Sequence, residues 1–123
     1  MTERTMKEGI SMEVDKELIV YICNHGFAAD AMKAARKAGA RGGTIIHGRS
    51  SVAGETQKFL GIAIHPEKEI LLIVCLADQK STLMESISSK YGIASEAHGL
   101  CFTVKVDETL GFNFNAPPLQ DLL

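Results

Sequence analysis

Charge of one sign is what this sequence has least of. Its 13 Lys and Arg against 15 Asp and Glu leave a formal net charge of -2, which gives no basis for a nucleic-acid surface. No apolar run reaches membrane-spanning length, so direct membrane insertion is not expected. The N-terminus lacks the apolar core of a signal peptide, and the expected compartment is the cytoplasm. Cysteines number only three, Cys23, Cys75 and Cys101, with no paired spacing. All three fall in expected strands, so they read as small core residues in a reducing compartment rather than as a disulfide framework. His25, His47, His65 and His98 stand at no recognised ligand spacing, and no metal site is expected from them. Cys101 lies close to His98, yet no third orienting group or oxyanion donor can be named. Without an acid, base and nucleophile set, no enzyme is expected.

What is present is a compact set of periodic segments. The 123 residues, 46% hydrophobic and 23% charged, suit one domain with a real core. Residues 1–14 are mixed in charge and aperiodic, and read as a flexible N-terminal tail; residues 15–123 form the domain. Residues 18–23, LIVYIC, are a continuous apolar run of strand length. Between residues 27 and 38, Ala28, Ala31, Met32, Ala35 and Ala38 recur at helical spacing, with Asp30 early and Arg36 and Lys37 late, as the helix dipole favours. Glycines 39, 42 and 43 then turn the chain into TIIH, residues 44–47, whose branched residues favour a strand. Gly48 and Arg49 close that strand and open a small, polar run.

Beyond this loop, Leu60, Ile62 and Ile64 alternate with small residues, Pro66 interrupts, and residues 70–76 resume as a second apolar run. The simplest reading is one long strand bent at Pro66. Its first half would pair with residues 44–47 in a hairpin tipped by the loop. Asp78 is the expected N-cap of the next helix, with Thr82 and Glu85 as a capping box one turn later. Leu83, Met84, Ile87 and Tyr91 supply its buried stripe, and residues 100–106 alternate as a last strand. The order is that of a ferredoxin-like β-α-β-β-α-β unit of the α+β class, with both helices on one face of the sheet. The first and third strands are apolar on both sides and no third helix exists to cover them, which implies self-association through the sheet.

Four stretches together carry a family resemblance: AGARGGT at 38–44, IHGR at 46–49, PEKEI at 66–70 and GLCFTV at 99–104. The chain resembles the PII (nitrogen regulatory) signal-transduction family, as a divergent PII-like member, from about residue 17 to 107. The resemblance implies a homotrimer with an adenine nucleotide (AMP, ADP or ATP) bound in clefts between subunits. It also implies a T-loop, here about residues 50–64, that docks on a membrane transporter or enzyme linked to nitrogen and switches it. By the same resemblance the nucleotide residues are Gly48, Arg49, His98, Gly99 and Leu100. The partner-binding loop is Ser50, Ser51, Val52, Ala53, Gly54, Glu55, Thr56 and Gln57.

Departures from the family pattern narrow the expectation. A glutamine that helps hold magnesium and 2-oxoglutarate in well-known members is Ser50 here, and the lysine of the loop before the last strand is Leu100. The arginine pair that usually follows that strand is absent, and the loop has no tyrosine for uridylylation. Fewer cations weaken the hold on a third phosphate. The alternative reading is a CutA-like trimeric metal-binding protein of the same architecture, which a gathering of the histidines around one cavity would favour. Phe112, Phe114, Pro117 and Pro118 mark a tail that docks on a neighbouring subunit or elsewhere, or ends irregularly.

Overall fold

The computed structural model describes residues 15–51, 57–60, 62–64 and 66–112. The expected N-terminal tail, loop residues 52–56, His65 and the tail beyond residue 112 lie outside the described residues. The described chain runs β1 (Lys16–Asn24), α1 (Ala28–Lys37), β2 (Thr44–Arg49), β3 (Gln57–Phe59), β4 (Ile62–Ile64), β5 (Glu67–Leu76), a 3-10 turn (Ala77–Gln79), α2 (Lys80–Tyr91) and β6 (Leu100–Val106). Four strands form an antiparallel sheet in the order β2-β5-β1-β6, and β3 pairs with β4 in a separate ribbon. This is the ferredoxin-like arrangement.

Strand alternation divides the sheet into two unlike faces. Ile19, Tyr21 and Cys23 of β1 and Leu71, Ile73 and Cys75 of β5 point at the helices and are buried. There they meet Ala28, Ala31, Met32 and Ala35 of α1 with Leu83 and Ile87 of α2. Small residues on α1 let it lie close to the sheet, and the Ser86 hydroxyl donates to the Ala34 carbonyl at 2.9 Å, tying the helices together. Burial raises the thiols of Cys23, Cys75 and Cys101 above the ordinary range, as core cysteines require. The opposite face carries Leu18, Val20, Ile22, Ile70, Leu72 and Val74, half-buried, and the exposed Ile46, Leu100, Phe102 and Val104. None of the described helices covers it.

Two expectations are corrected. The segment before Pro66 does not pair with β2; it folds on itself as β3 and β4, turning at Leu60 with φ 52°. Instead β2 pairs with β5, from Thr44 opposite Leu72 to Arg49 opposite Glu67. Pro66 is therefore a boundary rather than a bend, consistent with its missing N–H. Nor does Asp78 cap the second helix. The 3-10 turn comes first, with the Gln79 side chain accepting from the Leu76 N–H at 3.0 Å, and α2 starts at Lys80 without a side-chain cap. The turn takes up Asp78, and Thr82 and Glu85 fall within α2 rather than at its start.

Candidate functional site

The end of the sheet where β2, β5 and β1 converge carries a different constellation on each face. On the uncovered face lies a cavity of about 650 Å³, lined by Ile22, Asn24, Gly48, Arg49, Ser50, Ser51, Lys68, Ile70, Ile93, His98 and Leu100. Gly48 stands directly opposite Lys68 in the ladder, and Ile22 opposite both Ile70 and Leu100. Register therefore sets an apolar floor with basic groups at its edge. Lys68 Nζ donates to Asn24 Oδ1 at 2.9 Å, and Asn24 Nδ2 donates to the Glu96 carbonyl at 3.0 Å, joining β5, β1 and the loop before β6. His98 sits in that loop with φ 47°, a left-handed conformation rare for a residue with a side chain.

Of the expected nucleotide residues, Gly48, Arg49, His98 and Leu100 all line this cavity, as do Ser50 and Ser51 at the root of the loop. Gly99 does not. Its Cα packs against Tyr21 and the Tyr91 carbonyl, where an added Cβ would come within 2.1 Å of that oxygen and 2.4 Å of the Tyr21 ring. The Tyr21 hydroxyl donates to the same carbonyl at 2.8 Å, so Gly99 closes a tight joint behind the cavity. Sequence reasoning passed over Lys68, Asn24 and Ile93. Lys68 was open to inference, because it lies two residues before Ile70 on the same strand face.

On the helix-covered face, His25, His47 and Glu69 come together. Their ligand-type atoms all lie within 4.8 Å of one another, with His25 Nδ1 at 3.3 Å and His47 Nδ1 at 3.8 Å from Glu69 Oε2. The imidazoles are largely exposed, whereas Glu69 is buried. Its other oxygen, Oε1, accepts from the Ala28 N–H at 2.9 Å at the start of α1, where Phe27 offers no side-chain cap. Burial pushes the Glu69 carboxyl up, but the Ala28 and Gly26 N–H groups and the two imidazoles outweigh it and hold it below its ordinary range. His25 and His47 thus meet in a pair, while His98 lies at the cavity on the opposite face. Spacing along the chain carried no sign of this, because the three residues come from a loop and two strands paired only in the folded sheet.

A search of solved structures places this architecture. Arabidopsis thaliana PII bound to citrate matches with a TM-score of 0.55 at 18% identity, over 76% of this chain and 77% of that one. CutA from Synechococcus elongatus matches with a TM-score of 0.55 at 14% identity, over 76% and 79%. The fold is PII-like. A Bacillus cereus protein related to NIF3 matches with a TM-score of 0.61 at 11% identity, covering 80% of this chain and 27% of that one. No family model and no curated protein matches the sequence. Among the described residues, no helix is long and apolar enough to cross a membrane.

Proposed function

We propose that this chain is a non-catalytic regulatory protein that binds an adenine nucleotide and controls a partner protein through the loop after Arg49. One observation carries the reading: the 650 Å³ cavity is lined at once by apolar side chains, by Arg49, Lys68 and His98, and by the first two loop residues. Its volume is that of a small-molecule site. Ile22, Ile70 and Leu100 offer an apolar wall to a base, and Arg49 offers a fork of donors to phosphate oxygens. A ligand there touches Ser50 and Ser51, and so the root of the loop. The cavity opens on the uncovered sheet face, where neighbouring subunits of a homotrimer would complete it. The fold shared with PII is compatible with this reading. The regulated partner is a transporter or enzyme, with nitrogen metabolism as the expected setting.

Calorimetry with AMP, ADP and ATP, each with and without 2-oxoglutarate, tests the proposal. AMP or ADP should bind more tightly than ATP, because Leu100 replaces a lysine and leaves the third phosphate few partners. Adding 2-oxoglutarate should change little, because Ser50 stands where a glutamine is needed. Arg49→Ala should weaken nucleotide binding by about 1.5–3 kcal/mol, the range for a hydrogen bond to a charged group, with the assembly intact. Absence of binding by every adenylate, or an Arg49→Ala protein that binds as well as wild type, would overturn the proposal.

A further inference from the structure

The pair of histidines and the buried carboxylate on the helix-covered face have no part in the nucleotide reading and stand independently of it. We infer that His25, His47 and Glu69 form a binding site for a divalent transition-metal ion of the zinc, nickel or copper class. Two imidazole nitrogens and one carboxylate oxygen are the donor set such ions prefer over calcium or magnesium, which favour oxygen alone. Two of the three ligand separations are close to those required, and all three ligand atoms lie within 4.8 Å of one another. With metal–ligand distances near 2.1 Å, tetrahedral ligand atoms stand about 3.4 Å apart. The two histidine-to-Glu69 distances are 3.3 and 3.8 Å. The imidazole rings are tilted at 46° with centroids 6.0 Å apart, neither stacked face to face nor blocked by each other.

Support behind the ligands is also present. A carboxylate that ligates a metal is ordinarily held by a hydrogen bond to its second oxygen. Glu69 has that support from the Ala28 N–H, which holds Oε1 while Oε2 faces both imidazoles. Glu69 is fixed in the body of the sheet opposite both Cys23 and His47 in the ladder, whereas the histidines are exposed enough to meet an ion from solvent. Three protein ligands leave at least one coordination position for water or an exogenous group. An ion bound there would clamp the end of β2 to β5 and to the turn before α1.

The test uses full-length protein stripped with a chelator, in buffer free of nucleotide. Titration with Zn²⁺ followed by elemental analysis should give one ion per chain, and Co²⁺ should give visible d–d absorption. His25→Ala and His47→Ala should each weaken Zn²⁺ binding at least about tenfold, with unchanged circular dichroism. Glu69→Gln keeps an acceptor for the Ala28 N–H while removing the ligand charge, and should weaken binding similarly. His98→Asn, on the other face of the sheet, should bind Zn²⁺ as wild type does. A protein that takes up no Zn²⁺ or Co²⁺, its cluster being only an ion pair, would overturn the inference. Histidine variants binding as wild type would overturn it equally. Nucleotide titrations of the same proteins read the other site separately.

Discussion

At the scale of single residues, the chemistry depends on which face of a strand each side chain takes. Gly48 and Lys68 face the cavity, whereas their neighbours His47 and Glu69 face the helices. Gly99 shows how a motif residue can owe its identity to packing. Its neighbour atoms include a backbone carbonyl and a buried tyrosine ring, neither of which can swing aside as a flexible side-chain end would. Gly99→Ala should therefore destabilise the protein by about 1–3 kcal/mol or more, as overpacking of a tight site does. The loss should appear in urea unfolding even without nucleotide. An unchanged midpoint would show that the joint between Tyr21 and Tyr91 yields easily.

Among elements, what was legible in the sequence was whatever repeats locally. The continuous apolar runs of β1 and β5, the alanine face of α1 and the alternation of β6 follow from period alone, and together they specify the sheet and its helices. Gly48, Arg49, His98 and Leu100 were grouped together by a family pattern, and they line one cavity. What was not legible depends on register. The pairing of β2 with β5 rather than with residues 59–65 is decided by tertiary contact, since both partners are apolar and of strand type. The joining of His25, His47 and Glu69 follows only from that pairing. The N-terminus of α1 is served by Glu69 from 41 residues away, where no local capping pattern would place it. The same pairing closes the base of the loop, with the Ser50 N–H donating to the Pro66 carbonyl at 2.9 Å beyond the last ladder pair. Deleting residues 51–56 should therefore shift Tm by no more than about 4 °C, the scale of one kcal/mol for a chain of between about 100 and 150 residues, while abolishing partner binding in a pull-down. A deletion that unfolds the protein would make the segment structural.

For the whole molecule, the governing fact is that two helices cover one face of a four-stranded sheet and no described element covers the other. More than ten large apolar side chains on that face, among them those from Leu18 to Val104, exceed what a monomer ordinarily leaves to water. Light scattering should return three times the chain mass at micromolar concentration. Val20→Lys, at the centre of the face between Leu72 and Phe102, should release monomers that keep their circular dichroism; a wild-type monomer would contradict the prediction. The pleat has a further consequence, for how this chain can change length. A one-residue insertion in β5 between Lys68 and Ile70 would displace one flank of the strand by a half period and exchange its inward and outward sets. The apolar floor of the cavity and the carboxylate facing the two histidines would be lost in the same event. Substitution can alter either side alone, but an insertion or deletion in β2 or β5 cannot. Between β2 and β5, length can change without this loss only in the stretch between Ser50 and Pro66, where the ladder has already closed.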